Sequence, residues 1–176
     1  MTITEIASDK KRFLPLLLQA DEEERMIDRY LNRGRLFVLN GGDAVCVVTD
    51  EGGGVLEIKN LAVAPQFRRC GYGSAMIEFV SNFFAEAFSL LQVGTGESRA
   101  TLSFYEKNGF VFFRRIRNFF LDEYTFPIWE EGKRLADMIV LRKPISRQYS
   151  LQAFSAIETK YLPNQFPFDT MTPRKS

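Results

Sequence analysis

The chain contains no histidine. That removes the histidine general base, the Ser-His-Asp triad and the common histidine-bearing zinc sites. Acid–base chemistry must then rest on carboxylates, tyrosine, lysine, cysteine or water. Cysteine is nearly as scarce: Cys46 and Cys70 are the only two and form no C-x-x-C pair. No disulfide framework or metal is expected, and a reducing compartment suits the chain. Charge of one sign is also lacking. Lys and Arg number 23 against 22 Asp and Glu, a net +1. No strong field therefore draws the molecule to nucleic acid or to an anionic membrane. No apolar run reaches the length of a membrane helix. Residues 1–11 are polar and lack the apolar region of a signal peptide. These absences together predict a cytoplasmic protein.

What is present suits one globular domain. The 176 residues are 45% hydrophobic, enough for a substantial core. Seventeen phenylalanines point to an aromatic-rich core or an aromatic-lined groove. The domain is expected over residues 1–145. Residues 146–176 read as a C-terminal extension carrying Tyr149, Phe154, Tyr161, Phe166 and Phe168. So many aromatics predict that it packs on the domain or on a partner subunit.

Periodicity and turn chemistry predict the order β-α-α-β-β-β-α-β-α-β-β. Residues 2–6 alternate as a strand. Ser8 and Asp9 are placed to cap a first helix, and Asp21 with Glu24 resembles a capping box for a second. Residues 35–39 and 44–48 form a hairpin across Asn40-Gly41-Gly42-Asp43. Residues 55–63 are a third long strand. A helix from about Ser74 buries Met76, Ile77, Val80, Phe83 and Phe84. A buried strand over 88–93 ends at Gly94-Thr95-Gly96, and a helix over 99–107 stops at Asn108-Gly109. Residues 110–120 read as a strand, 122–133 as irregular, acidic and aromatic, and 137–141 as the last strand. Hairpin strands combined with a βα crossover make an α/β (α+β) fold: a mixed, mostly antiparallel sheet flanked by helices, of about six or seven strands.

The segment Gln66-Phe67-Arg68-Arg69-Cys70-Gly71-Tyr72-Gly73 lies between a predicted strand and a predicted helix. Gly71 and Gly73 allow a tight turn and close approach of a ligand. The helix start offers unpaired N–H groups and a positive dipole end, with Arg68 and Arg69 beside it. This is a phosphate or pyrophosphate site, or else a strand–helix turn that needs glycines. A dinucleotide fingerprint fails because Met76 stands where Gly or Ala belongs. A Walker A loop fails because no Gly-Lys-Ser/Thr follows.

Residues 61–76, from Leu61-Ala62-Val63-Ala64-Pro65 through Gly71-Tyr72-Gly73-Ser74-Ala75-Met76, closely resemble the acetyl-CoA-binding motif of the GNAT N-acetyltransferase superfamily. Phe104-Tyr105-Glu106-Lys107-Asn108-Gly109-Phe110 resembles its second hallmark, at the usual distance. The likeness covers about residues 2–143 and includes the order of elements. It implies acetyl-CoA as co-substrate, an amine as acceptor, and a monomer or homodimer. It implies that residues 68–74 (Arg68, Arg69, Cys70, Gly71, Tyr72, Gly73, Ser74) hold the CoA pyrophosphate. Leu61, Ala62 and Val63 would flank the pantetheine arm like an added strand, and the Val63 N–H would polarise the thioester carbonyl. Many members place Asn where Ser98 stands, and the resemblance implies that the shorter Ser98 hydroxyl would be the corresponding cofactor contact.

The resemblance also assigns chemistry. Tyr105 is the expected acid for the leaving thiolate; the alternative is a core tyrosine one turn after Thr101 and Leu102. Glu57 is the expected base, on the strand that enters the loop; the alternative is a solvated strand face on which it pairs with Lys59. Cys70 has nothing local to orient it as a nucleophile and reads as a small filler. Residues 118–135, with Phe119, Phe120, Tyr124, Phe126 and Trp129 among Asp122, Glu123, Glu130 and Glu131, either suit a cationic amine or form an acidic loop packed on the sheet. A CoA-binding module without catalysis is the competing function.

Overall fold

The computed structural model describes residues 1–145. The extension over 146–176 and its packing lie outside the described residues. The chain order is β1 (Ile3–Ile6), a 3-10 turn, α1 (Leu14–Leu17), α2 (Glu24–Leu31), β2 (Arg35–Leu39), β3 (Ala44–Asp50) and β4 (Val55–Val63). A 3-10 turn at Pro65–Phe67 leads to α3 (Tyr72–Phe84), β5 (Leu90–Gly96), α4 (Arg99–Lys107), β6 (Val111–Ile116) and α5 (Phe119–Glu123). The small hairpin β7 (Trp129–Glu130) and β8 (Lys133–Arg134) precedes β9 (Met138–Pro144). Seven strands form one sheet in the order β1-β2-β3-β4-β5-β9-β6. Among the described residues only β4 and β5 run parallel. The mixed, mostly antiparallel sheet flanked by helices is the one expected.

One bulge organises the sheet. Opposite β3, Val47 pairs with Asn60 but Val48 pairs with Ile58, which leaves Lys59 as an extra residue. Such a residue inverts the side-chain alternation of its strand. Before the bulge, Leu56 and Ile58 pack with Met76, Ile77, Val80 and Phe84 of α3. After it, Ala62 packs with Leu17, Ile27 and Tyr30 on the α1–α2 face. Polar Asn60 is buried on that second face, where its amide donates to Leu17 O (2.9 Å) and Tyr30 Oη (3.0 Å).

The second organising feature is a split. β4 and β5 pair only from Val55–Leu90 to Ile58–Val93. Beyond that point β4 stays with β3, and β5 stays with β9 through Gly96. The two strands diverge and leave a wedge-shaped slot in the middle of the sheet.

Several local expectations change. α2 is not entered through a capping box: Glu23 precedes it without a side-chain cap, and Asp21 is used elsewhere. Asp9 takes a left-handed conformation before its 3-10 turn and caps nothing. α3 begins at Tyr72 rather than Ser74 because Gly71, at φ 84°, makes the turn. β5 does not stop before Gly94-Thr95-Gly96 but runs through it, because β9 supplies hydrogen bonds across that stretch. The strand predicted to reach residue 120 ends at Ile116, where Asn118, at φ 57°, turns the chain into α5. The irregular stretch therefore holds a helix end and a hairpin.

Candidate active site

A cleft of about 540 Å³ lies at the mouth of the slot. Glu57, Lys59 and Asn60 of β4 line one side and residues 93–96 of β5 the other. Tyr105 reaches it from α4, Phe119 and Phe120 from α5, and Tyr124, Ile128 and Glu130 from the chain that follows.

The loop after β4 has the geometry of an anion cradle. Gly71 at φ 84° makes the turn into α3, and Arg69 also takes a positive φ of 66°. No side chain caps the start of this 13-residue helix, so its first amides are free to meet a ligand. A Cβ on Gly73 would stand 3.0 Å from the Phe104 ring, so glycine there lets α3 approach α4 closely. Arg68, Arg69, Cys70 and Gly71 are exposed, and Tyr72 and Ser74 are half-buried. Arg68 reaches back, its Nε donating to Val63 O (3.3 Å) and its Nη2 to Gln19 Oε1 (3.0 Å). Leu61 and Val63 are half-buried beside the slot, and Ala62 turns its side chain into the α1–α2 core. The loop thus presents free helix amides and two arginines beside the open edge of β4.

Tyr105 is 7% exposed and is held edge-on between Phe104 (5.1 Å) and Phe110 (5.4 Å). Burial, reinforced by Cys46 and by the charge of Glu130, raises its phenol well above the ordinary range. The hydroxyl stays protonated at neutral pH, as a donor must. Cys46 is fully buried, which pushes its thiol up to about 12; it is no nucleophile.

Glu57 lines the cleft but both its oxygens are engaged. Lys59 Nζ meets Oε1 at 2.7 Å, and the Gln92 amide donates to Oε2. Gln92 Oε1 in turn accepts from Arg142 Nε at 2.8 Å. Ser98 is buried at the start of α4. Its Oγ accepts from the Thr101 amide (3.2 Å) and donates to Thr101 Oγ1 (2.8 Å), so it serves as a helix cap.

Of the residues that close the cleft, Phe119, Phe120, Tyr124 and Glu130 belong to the acidic, aromatic segment singled out in the sequence, whereas Asp21, Glu23, Arg29, Tyr30 and Asn60 were not placed there. Asp21 accepts from Tyr30 Oη (3.3 Å) and Tyr124 Oη (3.1 Å). Burial raises its carboxyl, which the two hydroxyls partly offset. Glu23 Oε2 accepts from the Thr125 amide (3.0 Å), and Arg29 pairs with Glu123 (2.6 Å). These contacts fasten α2 to the chain after β6 and roof the cleft. Asn60 Oδ1 and Glu130 Oε2 are buried there with no hydrogen-bond partner among the described residues. A polar residue on a buried strand, as Asn60 is, was the one available signal.

A model of the acetyltransferase (GNAT) domain matches residues 32–112. The Bacillus subtilis (strain 168) protein named uncharacterized N-acetyltransferase YvbK is 31% identical over 131 residues, covering 72% of this chain and 84% of that protein. The chain belongs to the GNAT acetyltransferase family. A GNAT acetyltransferase from Elizabethkingia anophelis, solved with acetyl-CoA bound, superposes with a TM-score of 0.75. It is 34% identical, with 81% of this chain and 97% of that one covered. A Bacillus subtilis acetyltransferase in complex with CoA gives 0.72 at 27% identity, covering 81% and 97%. The chain is thus an acetyl-CoA-dependent acyltransferase. Among the described residues no group of side chains is arranged to hold a metal, and no helix is long and apolar enough to cross a membrane.

Proposed function

We propose that this acetyltransferase transfers the acetyl group of acetyl-CoA to the primary amine of a small molecule or a peptide, by direct attack of the amine on the thioester. The observation that carries this reading is the slot between β4 and β5, with Tyr105 and an acidic, aromatic cleft lining its mouth. In this reading residues 68–74 hold the pyrophosphate through backbone amides and the charge of Arg68 and Arg69. Leu61, Ala62 and Val63 flank the arm, and the Val63 N–H polarises the carbonyl. Tyr105 protonates the departing thiolate.

The amine approaches across the cleft from the side of α2 and α5. The carboxylates of Glu57, Asp21 and Glu130 favour an ammonium there, and Phe119, Phe120 and Tyr124 offer aromatic surface to its carbon arm. Glu57 is held in the cleft wall by Lys59 and Gln92. Ser98 acts through the helix it caps rather than by reaching the cofactor.

The test is release of free thiol from acetyl-CoA across polyamines, aminoglycosides, amino acids and peptides with free N-termini. At least one amine is expected to raise thiol release well above hydrolysis, with one acetylated nitrogen per thiol. Thiol release that no amine accelerates would contradict the reading.

A further inference from the structure

We propose that Glu130 is the group that accepts the proton of the incoming ammonium, directly or through one water, in place of the Glu57 expected from the sequence. The inference rests on the amine-transfer reading and names the proton acceptor of that same site.

Glu130 lies on the two-residue strand β7, opposite Lys133 of β8. The next residue, Glu131, takes a positive φ of 49°. Its carboxylate accepts from the Arg99 amide (3.0 Å) and the Ala100 amide (3.3 Å), the exposed start of α4. This turn sends two consecutive carboxylates in different directions. Glu131 caps the helix, and Glu130 lines the cleft that Tyr105 also lines.

Space for Glu130 comes from Gly96. A Cβ on Gly96 would stand 3.2 Å from Glu130 Oε2 and would collide with Leu135. Gly96 is on β5 beyond the split, so this carboxylate rests against the opened strand itself. Its Oε2 is buried and unpartnered. An unpaired carboxylate oxygen away from water is destabilising, and folds retain such groups where a ligand completes them. Glu57 differs in that both its oxygens already have partners.

The surroundings suit a base. Burial raises the Glu130 carboxyl above the ordinary range, and the negative charges of Glu131 and Glu22 push the same way. The Ser98 hydroxyl offsets only part. The titratable and charged groups around it are Glu131 on its own hairpin, Lys133 across that hairpin, Tyr105 on α4 and Glu22 before α2. A raised carboxyl near an ammonium is closer to the match that proton transfer at neutral pH requires.

The step balances. R–NH3+ gives one proton to Glu130, and the freed lone pair forms the C–N bond at the thioester carbon as the C–S bond breaks. The thiolate takes the Tyr105 proton, the phenolate recovers one from the nitrogen of the new amide, and Glu130 returns its proton to water.

The experiment compares wild type, Glu130→Gln and Glu57→Gln, with spermidine, tyramine and an alanyl peptide as acceptors from mildly acidic to mildly basic pH. Acetyl-CoA affinity and Tm are measured alongside. Glu130→Gln is expected to lose about 100-fold or more in kcat/KM at neutral pH, and with it the acid limb of the profile, while acetyl-CoA affinity holds. Glu57→Gln is expected to keep that limb. Tm of Glu130→Gln should exceed wild type at neutral pH. The sign follows from linkage: a raised folded-state value favours the protonated fold, so wild type loses stability as pH rises above the ordinary 4.5. The Tm gap should therefore widen with pH. Transfer by wild type with an unaltered profile in Glu130→Gln, or a Tm below wild type at neutral pH, overturns the assignment of Glu130 alone. No transfer by wild type to any acceptor overturns the amine reading and this role with it.

Discussion

Glu130 Oε2 lies 3.2 Å from where a Cβ on Gly96 would stand, so a glycine on a paired strand leaves room for a carboxylate at the opening of the sheet. Gly96→Ala would press on both Glu130 and Leu135. Overpacking of this kind destabilises by about 1–3 kcal/mol. Urea denaturation should find a loss in that range, with a higher KM for the amine and little change in acetyl-CoA affinity.

In the proposed reaction Tyr105 contributes a proton rather than binding energy. Tyr105→Phe keeps the ring between Phe104 and Phe110 and removes only the hydroxyl. Steady-state kinetics should show kcat lower by about 100-fold or more, while calorimetry finds acetyl-CoA affinity within about twofold of wild type, since an interaction made only in the transition state spares binding. An unchanged kcat would take Tyr105 out of the mechanism.

Gly71 carries the turn into α3 at φ 84°. With no neighbouring atom within 4 Å of an added Cβ, the cost of Gly71→Ala comes from backbone conformation alone, about 1–2 kcal/mol. If that turn also aims the helix amides at the pyrophosphate, the same variant should bind acetyl-CoA several-fold more weakly. Stability loss without weaker binding would limit Gly71 to the fold.

Asp137 ties the end of β6 to β9, accepting from the Asn118 amide (2.9 Å) and pairing with Arg115 (2.9 Å). The Asn118 amide and the Arg115 guanidinium hold its carboxyl below the usual 3.8. Its stabilisation is therefore full above that value and fades as pH falls through the lowered one. Thermal melts should show Asp137→Asn less stable than wild type at neutral pH, with the gap closing in acid. A gap independent of pH would contradict the linkage.

The strand and helix order was legible because the apolar spacing of β2–β4 and α3 reflects burial directly. The glycine turn into α3 and the helix that carries Tyr105 to the cleft were legible because a short contiguous motif carries each. The rest depended on pairings that periodicity does not encode. Gly94-Thr95-Gly96 has the composition of a turn, and only the hydrogen bonds of β9 make it strand. Asp21 reads as a helix cap, yet two tyrosines distant in sequence claim its oxygens. Glu130 and Glu131 are alike as letters, and one positive φ sends them to different tasks. Lys59 gives no sign of the bulge that turns Asn60 into the α1–α2 core.

In the proposed complex the opened edge of β4 receives CoA and presents its sulfur to Tyr105. The most direct measurement is a crystal structure of the chain with CoA bound. The pyrophosphate is expected on the amides of residues 68–74, the arm between β4 and β5, and the sulfur within hydrogen-bond reach of the Tyr105 hydroxyl, with Glu57 and Glu130 on the acceptor side. A CoA seated elsewhere, or with its sulfur turned away from Tyr105, would contradict it.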